Sequence, residues 1–466
     1  MSELTRKKSR FSLPHVFALL VILILLAAVA SWFVPAGEFD RVENEDGRMV
    51  VVPGSYHHVE ENPVNLFEAV MAIPKGLVDS ALIVFAVFII GGAFGIIEET
   101  RIISVLVDKA AKRLSGKETL MIVLIMVGFS VICAFIGLLE LSMFYIPILI
   151  PICLALRLDS VTAVAIALIS TAAGFAAALT NPFTIAIAQD IGGLELYSGM
   201  GYRSIVLATI TTIGILYVLN YVRKIKKNPE ISITYERDKI KREELRQMEL
   251  PEFNGRLKLV AAIVILGFVT LIYGIVQYKW YLLEISTVFI ITGVLAGLAA
   301  GLNINTICEK FVTGLKSFVI AAFAVGIARA ITVVLEDARI LDTVVYGLSN
   351  LVETLPSSVS AVGMLITQML LNFLIPSGSG QTVASMPIMF PLADLTGVSR
   401  QTAILALQFG DGFSNIFYPT LGFLWACIGM AGIKYEQWFR FILPLMVIWY
   451  ATGAVFLVIA QAIGWS

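Results

Sequence analysis

Apolar runs of about 20 residues recur along nearly the whole chain, separated by short polar stretches. A helix rises 1.5 Å per residue and a hydrocarbon core is roughly 30 Å thick, so each run is long enough to cross a bilayer. Full spans are expected near residues 13–34, 77–97, 161–190, 204–222, 258–277, 283–301, 314–335, 400–429 and 438–461. Two further apolar segments, 119–156 and 358–397, do not read as single spans. Gly137-Leu138-Leu139-Glu140 interrupts the first, and the string PSGSGQ at 376–381 interrupts the second. Backbone freed from a helix at membrane depth survives only where it is buried in protein or lines a cavity. Both segments are therefore predicted to be re-entrant hairpins, entering from opposite faces. The expected fold class is an all-α polytopic membrane protein with about nine transmembrane helices plus two re-entrant hairpins.

The polar stretches assign orientation through the Lys/Arg bias of cytoplasmic loops. Residues 1–12 carry Arg6, Lys7, Lys8 and Arg10 and are expected inside, whereas the acidic segment 35–63 is expected outside. Arg101, Lys109, Lys112, Arg113 and Lys117 mark a cytoplasmic interfacial stretch. Residues 223–256 are too charged to enter lipid and read as a cytoplasmic linker. Ala28-Val29-Ala30 has the pattern of a signal-peptidase site, but the length of its apolar run and the many spans after it favour an uncleaved first helix. Residues 76–102 match 314–340 at an offset of 238, and both segments end in Glu-(Glu/Asp)-x-Arg-Ile. The register then shifts by two, and PILIP (147–151) meets PIMFP (387–391). Five crossings separate equivalent points, which inverts the second copy. The organisation expected is a first repeat at 13–222 with its hairpin at 119–156, the linker at 223–256, a connecting helix at 257–282, and a second repeat at 283–466 with its hairpin at 358–397. The N-terminus then lies inside and the C-terminus outside.

Composition removes the remaining classes. Hydrophobic residues make up 58% and charged residues 14%, with a mean hydropathy of +0.89, far from a soluble domain. The net charge of -1 presents no basic face for nucleic acid. Cys133, Cys153, Cys308 and Cys427 have neither CxxC nor Cys/His spacing, so they read as packing residues. No motif calls for an organic cofactor or a structural metal.

Each hairpin precedes a span that is itself broken, at Leu179-Thr180-Asn181-Pro182 and at QFGDGFSNIFYPT (408–420). Discontinuous spans at matched places point to a midplane binding site in a carrier, with half-helix N-termini suited to a carboxylate and unwound carbonyls or acids suited to a cation. Glu140 and Asp411 stand out because ionised groups at membrane depth cost several kcal/mol. Their repeat equivalents are Gly380 and Thr171, so symmetry of fold coexists with asymmetry of charge. The rival role for each acid is capping a neighbouring helix N-terminus. Candidate contacts are Glu140, Ser142, Thr180, Asn181, Ser377, Gly378, Ser379, Gly380, Gln381, Thr382, Asp411, Ser414 and Asn415, with a Na+ site near Asn181 and Asp411. Asn372 precedes the second tip. Arg329, inside a span, reads first as half of a structural ion pair, Arg101 and Arg339 as clamps at helix ends, and His57 and His58 as solvated surface.

SGSGQ (377–381), MPIMFPLADLTGVSRQ (386–401), FGDGFSNIFYPT (409–420) and NPFTIAIAQ (181–189) resemble the YfcC-like branch of the C4-dicarboxylate anaerobic carrier family over nearly the whole chain. The resemblance, which extends to AbgT-type carriers, implies a bacterial inner-membrane secondary carrier, a homodimer with a fixed scaffold and a moving hairpin-bearing domain. Relatives carry dicarboxylates or exchange basic amino acids. Many have an acidic pair at the first tip, where this chain keeps Glu140 alone. The expected function is alternating-access transport or exchange of a small carboxylate-bearing solute, an amino acid first, driven by exchange or by Na+ or H+. A cation-coupled C4-dicarboxylate carrier is the alternative, with an ion channel and an intramembrane aspartyl protease more remote.

Overall fold

A computed structural model of the chain describes residues 16–43, 49–106, 109, 116–247, 251–278, 280–353 and 355–465. Arg6, Lys7, Lys8, Arg10, Lys112 and Arg113 lie outside the described residues, so the loops they were expected to orient have no structural account.

The helices are α1 (Val16–Ala30), α2 (Leu66–Asp79), α3 (Ala81–Glu99), α4 (Glu118–Ile136), α5 (Leu141–Ala155), α6 (Ser160–Ala176), α7 (Ile185–Ile191), α8 (Met200–Lys227), α9 (Tyr235–Gln247) and α10 (Gly255–Tyr278). There follow α11 (Leu282–Ala299), α12 (Ile304–Lys316), α13 (Val319–Asp337), α14 (Leu341–Glu353), α15 (Ser357–Leu374), α16 (Gly378–Thr396), α17 (Arg400–Ser414), α18 (Gly422–Met430) and α19 (Tyr435–Ala462). The architecture is all-helical apart from the acidic segment. There, β1 (Gly37–Glu38), β2 (Arg41–Glu43), β3 (Met49–Val51) and β4 (His57–His58) form two antiparallel ribbons, β1 with β4 and β2 with β3. His57 and His58 are exposed.

Boundaries recur at the spacing seen in the sequence. α3 and α13 are each 19 residues, and α8 and α19 are each 28. Arg101 and Arg339 follow α3 and α13 with φ of 62° and 57°, a left-handed turn costing a side-chain-bearing residue roughly 1 kcal/mol. Asp159 caps α6 by accepting from Thr162 N at 2.9 Å, and Ser399 caps α17 by accepting from Thr402 N at 3.1 Å. The prolines of PILIP lie inside α5 and those of PIMFP inside α16. Packing is reciprocal: α2 lies against α13 and α12 against α3.

α6 is buried along all 17 of its residues, and α17 from Gln401 to its end. Ala, Gly, Ser and Thr dominate α6 and recur along α17, which lets their backbones approach closely. Both arms of each hairpin pack on the helix that follows, α4 and α5 on α6, and α15 and α16 on α17, while α6 and α17 touch. The prolines predicted two broken spans, and the helices stop there: α6 ends before Pro182 and α7 resumes at Ile185, and α17 ends before Pro419 and α18 resumes at Gly422. Two boundaries differ from expectation. Residues 223–227, drawn into the linker, are the last turn of α8, residues 235–247 fold as α9, and Gly255 and Arg256 at the linker's end begin α10. α9 is held by the buried Asp238, which accepts from Ser160 N at 2.8 Å and Ser160 Oγ at 2.5 Å at the start of α6.

Candidate functional site

The two hairpin tips are built differently. α4 ends at Gly137, whose φ of 74° suits glycine and which lies against the side chain of Asn181. Glu140 then precedes α5. At the second tip only residues 375–377 are non-helical, because Ser377 caps α16: its Oγ accepts from Gly380 N at 3.3 Å and its carbonyl from Gln381 N at 2.8 Å. The run 378–381, expected to be unwound, is therefore the first turn of a helix. A first turn leaves N–H groups without intrahelical acceptors, and here those of Gly378 and Ser379 point along the positive end of a 19-residue helix.

Both tips line one cavity of about 340 Å³. Leu138 to Glu140 form one wall and Pro376 to Ser379 another, with Asn415 and Thr420 from the second break and Phe183 from the first. Asp79, Ser80, Tyr281 and Arg329 add polar and charged groups, beside apolar residues that include Ile83, Phe175 and Val325. The Arg329 guanidinium stands 3.5 Å from Asp79 and 3.4 Å from Glu336, so it keeps its expected acidic partners and also faces the cavity. Among the lining residues the charged groups are Asp79, Glu140 and Arg329, two acids to one base.

Of the sequence candidates, Glu140, Ser377, Gly378, Ser379 and Asn415 reach this cavity. Asp411 sits behind the second tip. It is fully buried, with Oδ1 accepting from Asn372 and, at 2.8 Å, from Asn415. Its Oδ2 has no hydrogen-bond partner among the described residues and lies where a Cβ on Gly378 would come within 2.9 Å. Thr184, whose Oγ1 is likewise unpartnered, lies against the same glycine. The buried Asn181 accepts from Phe183 N at 2.8 Å and leaves Nδ2 unpartnered. The remaining candidates serve the helices. Ser142 donates to Leu139 O, Thr180 to Phe135 O, Thr382 to Gly378 O and Ser414 to Gly410 O, and Gln381 bonds Gln368. Gly380 is exposed and does not line the cavity. The sequence reading missed Asp79, Ser80, Tyr281 and Thr420. Asp79 left one legible signal, an acid at the mouth of an apolar span.

The family model for the C4-dicarboxylate anaerobic carrier matches residues 13–462. A protein of Escherichia coli (strain K12) named "Putative basic amino acid antiporter YfcC" is 32% identical, with the alignment covering 100% of both chains. An uncharacterized protein of Haemophilus influenzae is 26% identical over 98% of each chain. Among solved structures, the YdaH transporter of Alcanivorax borkumensis aligns over 97% of this chain and 99% of its own, at 14% identity and a TM-score of 0.42. A family match over nearly the whole length, together with the full-length identity to the E. coli protein, establishes that the chain belongs to the C4-dicarboxylate anaerobic carrier family and is a membrane transporter, not an enzyme.

Proposed function

We propose that this transporter exchanges cationic amino acids by alternating access, binding them in the cavity between the two hairpin tips. The observation that carries the reading is the charge of that cavity, two carboxylates against one guanidinium with two helix-start N–H groups beside them. An α-carboxylate fits Arg329 and the N–H groups of Gly378 and Ser379, since planar guanidinium and helix N-termini both favour anions. An ammonium or guanidinium fits Glu140 and Asp79. A substrate of net charge +1 then neutralises the lining, whereas a dicarboxylate would add two negative charges to it at low dielectric. The name of the E. coli relative agrees with this class.

The family's own description favours a second reading, a C4-dicarboxylate moved with cations. The unpartnered Asp411 Oδ2 beside Gly378 is a hard donor of the kind Na+ takes, and Thr184, whose methyl packs on the same glycine, carries a second unpartnered oxygen, which supports the expected Na+ site near Asn181 and Asp411. The proposal also includes inverted halves, an inner-membrane location with the linker inside, and a homodimer. Two ties support the inversion. Glu118 at the start of the first hairpin pairs at 3.2 Å with Lys226 beside the basic linker, whereas Asp342 before the second hairpin pairs at 2.8 Å with Arg41 of the acidic segment.

Counterflow in proteoliposomes with labelled arginine, ornithine, neutral amino acids, aspartate and succinate, with and without Na+, separates the readings. Arginine or ornithine should accumulate. Glu140→Gln and Arg329→Gln should each cut that accumulation about tenfold or more, because losing one partner of a desolvated charge contact costs about 2 kcal/mol or more. Accumulation of succinate alone, dependent on Na+, would replace this reading with the second.

A further inference from the structure

A second, half-open space of about 290 Å³ repeats the charge pattern of the first. It lies between α3, the return arm α5, the end of α12 and the linker helix α9. The helix α3 borders both spaces, and α5 runs from the tip at Glu140, which lines the first, to the second. Ile83 and the Glu140 that precedes α5 face the central cavity, whereas Glu98 and Leu154 face this one. At 1.5 Å per residue the two spaces are stacked about 20 Å apart along those helices. The charged groups lining the second are Glu98, Glu244 and Lys241, again two acids to one base. Burial and Arg237 hold the Lys241 pKa below its ordinary value, while Asp238, Glu98 and Glu244 pull it back up.

α9 covers this space and is fastened on both sides. Asp238 is fully buried and accepts from Ser160 N, Ser160 Oγ and, at 2.6 Å, Thr234 Oγ1. Arg242 donates to Leu158 O at 2.5 Å, just past the end of α5. On the other side the Arg237 guanidinium crosses Gly432, where a Cβ would leave it no room. A helix fixed by so many buried polar contacts is more than a tether between halves. Releasing it opens the end of the α3/α5 seam.

We infer that the space under α9 is a second station on the transport route, taking the same cationic amino acids, and that α9 is the latch that closes it on the linker side. This rests on the substrate class proposed above. The test uses the full chain carrying Cys308→Ser, because Cys308 is exposed whereas Cys133, Cys153 and Cys427 are buried. Ser104, which lines the space, is changed to Cys and labelled with a membrane-impermeant maleimide in inside-out vesicles. Labelling should be slow, should quicken about tenfold or more when Asp238→Asn loosens the latch, and should be protected by arginine but not by succinate. Arg242→Gln is the second loosening variant should Asp238→Asn fail to fold.

Equal labelling rates in latched and loosened proteins overturn the latch. Absence of arginine protection in a preparation that performs arginine counterflow overturns the second station and leaves the central site standing. Succinate counterflow without arginine counterflow overturns the substrate class, and the labelling rates then judge the latch alone.

Discussion

The contact between Gly378 and Asp411 explains why an acid that looks like a substrate ligand lies out of the cavity. The tip backbone passes so near the carboxylate that a methyl group on Gly378 would sit 2.9 Å from Asp411 Oδ2 and 2.9 Å from Thr184 Cγ2. Gly378→Ala should therefore push the tip away from its bed, lowering stability by about 1–3 kcal/mol and abolishing counterflow. A melting temperature in detergent and a transport rate that both match the parent protein would show that the close approach does not matter. Asn372 supplies one of two side-chain donors to Oδ1. Its removal in Asn372→Ala leaves a buried carboxylate with one donor, which should cost about 1–3 kcal/mol in the same melting measurement. The cost of burying an acid made Glu140 and Asp411 legible in the sequence. Which side of the tip each occupies was not, because that depends on a helix start three residues long in its non-helical part. The 3.5 Å approach of Arg329 to Asp79 joins residues 250 positions apart, and no local pattern records it.

Element boundaries were easier to read where proline or a change of polarity set them. The spans, the two interruptions and the breaks at Pro182 and Pro419 all follow from local chemistry. α2 and α12 are not foreseen as helices, and the expected spans 77–97 and 314–335 take in only their last three residues, because each runs into the next helix with only one or two residues between them. The ribbons of the acidic segment are two or three residues per strand, too short for any alternation to show. α2 and α12 owe their positions to crossings at small residues. A Cβ on Gly76 would run into the backbone of Gly326 and Ala330, and one on Gly314 into the backbone of Gly91 and Gly95. Gly76→Val and Gly314→Val should each be destabilising by about 1–3 kcal/mol or block folding, and by similar amounts, because backbone atoms cannot rotate away as side chains do. A large drop in melting temperature for one variant and none for the other would mean that the two crossings do not carry equal loads.

In the whole molecule the most buried helices are not the most apolar. Seven described helices are long and apolar enough to cross a membrane, while α6 and α17, at 17 and 15 residues, stop at their breaks and lie inside the bundle. Lipid-facing helices need apolar surface, as on α10, where Leu259, Ile265, Leu266 and Val269 are exposed, whereas the central pair needs small residues for close packing. Hydropathy alone thus reports the periphery well and the core poorly, and the count of crossings has to come from charge. With residues 1–12 and the linker inside, four crossings precede the linker and five follow it if α6 with α7 and α17 with α18 each count as one broken span. Five crossings after the linker put the C-terminus outside, and the two of them that precede α13 make it run opposite to α3. An alkaline phosphatase fused after Ser466 should then be active in intact cells and a fluorescent protein fused there should be dark, since each folds on only one side of the inner membrane. A fluorescent, phosphatase-inactive fusion would make the crossings after the linker even. One of α10, α11, α13, the broken span of α17 with α18, or α19 would then not cross, and the inverted pairing of the halves, with its support from the ties of Glu118 to Lys226 and of Asp342 to Arg41, would have to be counted again from that element.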